Sequence, residues 1–237
     1  MNGAADQSAL RPPPLTHMVR DIAETINARL WTKLPDQAGL PRGDGHAVLV
    51  APGVCTGDFA TASVRGFLTR LGYAAHGWGL GLNLGPTRRT VQGIERRLFA
   101  LNEQSGRPVS LIGVSLGGLY LRELAKRHPD RVRHLFLVCS PTRYPVVSRV
   151  ATLLLAFEGF YDPLYPRRPE DLNPPAAVPT TAFFTRRDGF LAWQCCLETG
   201  PLAENIEIDS GHCVAPSLPL TLRILAARLA AKGDLHQ

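Results

Sequence analysis

With 237 residues, 45% of them apolar and 19% charged, the chain suits one folded α/β domain rather than a disordered or fibrous polymer. It holds no apolar run of about 18 or more residues, so no membrane-spanning helix is expected. Its net charge of +6 comes almost wholly from scattered arginines, paired at Arg88-Arg89, Arg96-Arg97, Arg167-Arg168 and Arg186-Arg187, which argues against nucleic acid and leaves contact with an anionic membrane surface open.

Residues 1–14 are small and polar and end in three prolines, the composition of a disordered tail. They lack the basic and apolar regions of a secretory signal. Residues 15–237 read as a single domain. Val19, Ile22, Ala23, Ile26 and Leu30 recur at helical spacing between Thr16 and Trp31, which predicts an amphipathic helix whose apolar stripe covers the edge of the core. A continuous apolar run, Ala47 to Ala51, has the character of a strand buried on both faces. It ends in Pro52-Gly53-Val54-Cys55. A helix over Phe59 to Leu71 and a strand over Tyr73 to Trp78 follow. The loop Gly77 to Gly85 is glycine-rich, but no helix opens on its glycines and no acidic residue stands about 20 positions on, so it is no dinucleotide fingerprint. It reads as a pocket-lining loop.

Thr87 to Asn102 predicts a helix, Val109 to Ile112 a strand, and Leu116 onward a helix with Leu119, Tyr120, Leu124 and Ala125 on its apolar side. Arg133 to Cys139 is another buried strand. Strand and helix alternate from 47 to 139, which predicts a doubly wound, mostly parallel sheet of about six strands. The alternation breaks between 141 and 178, where an apolar helix over Pro145 to Phe160 and a proline-rich stretch form a small cap insertion. It resumes with a strand at Thr180 to Thr185, a helix around Leu191 to Cys196, a strand at Glu204 to Ile208 and a closing helix at Leu218 to Ala231.

The turn between the Val109 strand and the Leu116 helix carries the chemistry. In Gly113-Val114-Ser115-Leu116-Gly117-Gly118 a serine sits at a sharp strand-to-helix reversal, and Gly113 and Gly117 keep flanking side chains clear of it. A serine hydroxyl needs a base. Among the histidines, His17 lies in the leading helix, His46, His128 and His134 fall at the far edge of the sheet, and His236 lies in the tail. His76 is a weak alternative within a strand. His212 follows the last strand on the same edge as Ser115, in a glycine-flanked loop. Asp188 follows the preceding strand on that edge and can fix the tautomer of His212, whereas Asp162, Asp171 and Asp209 read as solvated or capping residues. An oxyanion would take the N–H of Leu116 and one from the loop after the first strand, Val54 first and Cys55 second.

The strand ending in Pro52-Gly53, the serine elbow, Asp188-Gly189 and Gly211-His212 together resemble the α/β-hydrolase superfamily over roughly residues 45 to 232, and are most similar to compact bacterial esterase/lipase-like members. That resemblance implies a Ser115–His212–Asp188 hydrolase cleaving carboxylic esters through an acyl-enzyme, on substrates with an apolar acyl group. The chain shows no extra strand before Ala47, so this would be a trimmed version of that fold. Lipases of the family often carry His where Pro52 stands here, a departure that leaves the triad untouched. Thioesterase and acyltransferase readings share the triad, and from another class a catalytically silent binding protein is the alternative. Neither a cofactor nor a metal site is expected: the five cysteines (Cys55, Cys139, Cys195, Cys196, Cys213) have no metal-ligand spacing and suit buried thiols in a reducing, cytoplasmic compartment. If the triad assembles, the Cys213 and Cys195-Cys196 segments become neighbours and a disulfide between them would staple the two loops.

Overall fold

The computed structural model describes residues 10–31, 35–143, 145–150, 159, 161–162, 165 and 174–231. Six strands form one parallel sheet: β1 (Ala47–Ala51), β2 (Ala74–Gly77), β3 (Val109–Val114), β4 (Val132–Val138), β5 (Thr180–Phe184) and β6 (Ala203–Glu207), in the order β2-β1-β3-β4-β5-β6. The chain leaves β1 towards one edge and returns to build β3 on the other side. The carboxyl ends of β1 and β3 therefore flank the point where the winding reverses, which is where open parallel sheets bind ligands.

Successive strand residues face opposite sides, and both sides are covered. Ala47, Leu49, Val109 and Leu111 pack against α3 (Arg88–Ser105) and α4 (Leu116–Arg127) through Ile94, Leu98, Leu121 and Leu124. Val48, Val50, Ile112 and Phe136 pack on the other side against α2 (Ala62–Leu71) and α5 (Pro219–Ala230) through Phe67, Leu68, Leu222 and Leu225. This double coverage is why β1 and β5 are buried along their whole length. The helix α3 starts cleanly because the Thr87 side chain accepts a hydrogen bond from the Thr90 N–H.

The first helix, α1 (Leu15–Trp31), forms as expected but the other way round. Leu15, Val19, Ile22 and Ile26 are 58%, 64%, 46% and 60% exposed, whereas Asp21 is 1% exposed. Its polar side faces the protein. Part of the segment expected to be a tail is also held: Pro13 is buried and its carbonyl accepts from Arg149 Nε at 2.5 Å. Residues 1–9 lie outside the described residues.

Two further expectations are corrected. Residues 145–150 are not helical. Ser148 bridges Leu191 in antiparallel fashion and the Arg149 N–H donates to the Phe190 carbonyl, so this stretch runs along the Asp188 loop. Most of the remaining predicted cap lies outside the described residues. The helix expected around Leu191 to Cys196 is only a 3-10 turn at Trp193–Cys196. No helix among the described residues is long and apolar enough to cross a membrane.

Candidate active site

Ser115 stands between β3 and α4 with φ 49° and ψ −122°, a strained conformation for a residue with a side chain. Packing imposes it. A methyl group on Gly113 would lie 2.2 Å from Gly118 Cα, and one on Gly117 would lie 2.5 Å from the Pro52 carbonyl oxygen. The turn therefore closes only with glycine at both positions, and the strand, the serine and the helix are pressed together. Cys55, in the loop after β1, and Cys139, directly after β4, share the positive φ (56° and 48°), so strain recurs past the carboxyl ends of three neighbouring strands.

The loops after β5 and β6 bring the other two residues together. Asp188 is 2% exposed; its Oδ1 accepts from the N–H groups of Phe190 and Leu191, both at 2.8 Å, and its Oδ2 lies 2.7 Å from His212 Nδ1. An ionised carboxylate only accepts, so Nδ1 carries the proton and Nε2 is the free base. Burial disfavours the imidazolium, but the charge and hydrogen bond of Asp188, with a further contribution from Asp21, outweigh it and raise the His212 pKa above 6.5. Among the described residues nothing hydrogen-bonds Ser115 Oγ or His212 Nε2, and the two are not bonded to each other. Both line one cavity of about 590 Å³.

Of the expected oxyanion donors, Leu116 opens α4, where N–H groups have no intrahelical acceptor. The Val54 N–H is likewise unpaired among the described residues. The Cys55 N–H, by contrast, donates to the Asn83 carbonyl at 2.7 Å, which removes the second choice. The loop after β1 runs directly beside the serine, since a methyl group on Gly53 would sit 3.3 Å from Ser115 Cβ.

The glycine-rich loop 77–85 does not line the cavity, contrary to expectation. It holds the β1 loop instead. Asn83, fully buried, donates from Nδ2 to the Pro52 carbonyl at 2.8 Å, accepts at Oδ1 from Tyr120 Oη at 2.9 Å, and exchanges backbone bonds with Cys55 and Thr56. Trp78 and Gly79 N–H groups donate to Asp58, tying the loop's start to the same region. An asparagine among glycines carries no signature of this role. Asn83→Ala is expected to cost about 1–3 kcal/mol, because it strands the Pro52 carbonyl and the Tyr120 hydroxyl; chemical denaturation checks it.

A second Ser-His-Asp chain lies at the opposite edge of the sheet. Ser110 Oγ is 2.9 Å from His46 Nε2, and His46 Nδ1 is 2.5 Å from Asp44 Oδ1. Ser110 is fully buried within β3, outside the cavity lining, and burial holds the His46 pKa below its ordinary value. This chain pins the start of β1 to β3. What distinguishes Ser115 is strain and access.

All five cysteines are free, so no disulfide joins Cys213 to Cys195 or Cys196. Cys195 Sγ instead donates to the Pro145 carbonyl at 3.2 Å. Cys139 Sγ lies with the Asp188 and His212 ligand atoms inside a 4.8 Å cluster, a grouping not expected from spacing along the chain. Burial pushes the Cys139 thiol well above its usual range, and Asp188 and His212 already bond each other, so this donor set is poorly suited to a metal.

No protein-family model and no curated protein sequence matches the chain. Solved structures do. A structure of the metagenome-derived lipolytic enzymes LipS and LipT is similar with a TM-score of 0.62 and 15% identity, over 80% of this chain and 95% of that one. Aspergillus fumigatus lipase B gives a TM-score of 0.64 and 14% identity over 84% of this chain, which spans 56% of the lipase. A pyrethroid hydrolase from Sphingobium faniae gives a TM-score of 0.55 and 18% identity, over 81% of this chain and 100% of the hydrolase. At these identities the likeness speaks to architecture alone. The chain has the α/β-hydrolase fold.

Proposed function

We propose that the protein is a serine hydrolase that cleaves uncharged carboxylic esters through an acyl-enzyme on Ser115. The observation that carries this reading is the convergence on one cavity of a strained, unpaired serine and a histidine already bonded to a buried aspartate. The Ser115 Oγ proton passes to His212 Nε2 as Oγ bonds the ester carbonyl carbon. The oxyanion takes the N–H groups of Val54 and Leu116. The C–O bond to the alcohol then breaks, and the alkoxide leaves with the proton from Nε2. Water repeats the sequence on the acyl-enzyme, giving its proton to His212 and releasing the acid and Ser115.

The cavity supports the substrate class. Among the described residues its lining includes Val54, Phe59, Val150, Phe190 and Val214, with hydroxyls such as Thr56, and no Asp, Glu, Lys or Arg. A substrate carboxylate would be desolvated there without a cation. p-Nitrophenyl butyrate is therefore expected to be turned over with at least about tenfold higher kcat/KM than the p-nitrophenyl half-ester of succinate, measured in parallel assays. The five free thiols agree with a reducing compartment.

One observation favours a second reading, a catalytically silent binding protein: Ser115 and His212 are not hydrogen-bonded. Such bonds are often long without substrate and tighten in its complex. Hydrolysis of p-nitrophenyl acetate, butyrate and octanoate by wild type and Ser115→Ala decides between the two. The hydrolase reading expects turnover by the wild type that is lost in the variant; equal rates would contradict it. Added alcohol acceptors separate hydrolysis from acyl transfer in the same assay.

A further inference from the structure

The inverted orientation of α1 has a specific cause. Asp21 Oδ2 accepts the His212 N–H at 2.5 Å and the Gly189 N–H at 3.3 Å, and Oδ1 accepts the Cys213 N–H at 3.0 Å. One turn on, Glu24 Oε2 accepts the Gly211 N–H at 2.8 Å, and Glu24 Oε1 pairs with Arg187. Two carboxylates on one helix thus bind the backbone of residues 211–213 around His212 and that of Gly189 next to Asp188. A buried carboxylate requires partners of this kind, and two irregular loops have amides to offer.

The glycines of Asp188-Gly189 and Gly211-His212 belong to the same device. A methyl group on Gly189 would lie 2.6 Å from Met18 Cα and 2.8 Å from the His17 carbonyl oxygen. One on Gly211 would lie 2.7 Å from Asp21 Oδ1 and 3.0 Å from Glu24 Oε2. Neither glycine has positive φ. They are needed where they stand because the helix comes so close.

We infer that Asp21 is a positioning residue for the hydrolysis proposed above, with Glu24 in support: α1 locks the loop bearing Asp188 to the loop bearing His212, and Asp21 holds the histidine from its backbone side as Asp188 holds it from the ring. The inference rests on that reading of Ser115, Asp188 and His212. The groups around the imidazole are Asp188 after β5, Asp21 on α1, Cys139 at the end of β4 and Cys213 alongside, with Arg187 at the rim paired to Glu24 and Asp209. Burial raises both thiols, Cys213 to about 12, so the carboxylates are the charged groups that bear on His212.

The test compares wild type, Asp21→Asn and Glu24→Gln in three measurements: kcat/KM for p-nitrophenyl butyrate, the rate of fluorophosphonate labelling, and titration of the His212 imidazole by NMR. Folded Asp21→Asn is expected to lose about 10- to 100-fold in both rates, as small misplacements of reacting groups do. Its His212 is expected to titrate at lower pH than in wild type, a change that a merely structural role would not produce. Glu24→Gln is expected to lose less. A folded Asp21→Asn with wild-type rates and an unmoved His212 titration would overturn the inference. Should Asp21→Asn not fold, wild-type labelling by Glu24→Gln would overturn it. A wild type that neither turns over nor labels, yet whose His212 titration is moved by Asp21→Asn, would keep the clamp and remove the hydrolase reading.

Discussion

His212→Ala is expected to lower kcat/KM for p-nitrophenyl butyrate by about 10⁵- to 10⁶-fold, close to the loss from Ser115→Ala, because the two act as a unit and neither alone supplies a nucleophile. Asp188→Asn is expected to lose about 10⁴-fold, since an amide can donate to Nδ1 and favour the wrong tautomer. The same histidine sets the pH dependence. Its pKa is raised above 6.5, burial opposing the imidazolium while Asp188 and Asp21 favour it more strongly. In the proposed mechanism the neutral ring is the active form, so activity is expected to fall as pH drops through this pKa. The acid limb of kcat/KM should therefore have its midpoint above 6.5, read from a pH–rate profile on wild type. A midpoint at or below 6.5 would mean that the two carboxylates do not govern the ring.

The largest expected effect on stability lies between α4 and the segment that joins β5 to β6. Arg122 on α4 and Glu198 between β5 and β6 form a bidentate pair, Nε to Oε2 at 2.5 Å and Nη2 to Oε1 at 3.0 Å, with side chains 1% and 2% exposed. Arg122→Met leaves the Glu198 carboxylate buried without its guanidinium and is expected to cost about 3–5 kcal/mol. For a chain of this size that is a fall in Tm of roughly 10 °C. The double variant Arg122→Met/Glu198→Met removes both charges and should recover most of the loss, because the penalty arises from the stranded ion rather than from the missing pair. Equal stability of the single variant and wild type, by denaturant titration, would show that water reaches Glu198.

Much of this architecture is legible in the chain because a parallel sheet covered on both faces leaves a simple trace. Its central strands read as mainly apolar runs, such as AVLVA at 47–51, with amphipathic helices between the first of them, and parallel order then places every strand's carboxyl end on one edge. That rule alone put Ser115, Asp188 and His212 together and set His46 and His134 apart. What stayed hidden depended on partners that periodicity does not report. The stripe Val19, Ile22 and Ile26 marks an apolar face of α1, and burying it would be the usual outcome. The amides of Gly189, Gly211, His212 and Cys213 compete for the opposite face, and two carboxylates spaced three residues apart answer them. Asn83 was hidden for a similar reason: its side-chain bonds to Pro52 and Tyr120 reach 31 and 37 positions along the chain, and no local pattern encodes them. The 3-10 turn at Trp193–Cys196 shows the converse, a short apolar stretch that tertiary bonds to Arg143, Pro145 and Val147 hold out of a helix.

The central claim is that Ser115 is a nucleophile served by His212. Fluorophosphonate treatment of the folded wild type, followed by proteolysis and peptide mass spectrometry, tests it directly. One phosphonyl adduct is expected on Ser115, absent in Ser115→Ala and strongly slowed in His212→Ala. A folded wild type that takes no adduct, or takes it at another residue, would contradict it.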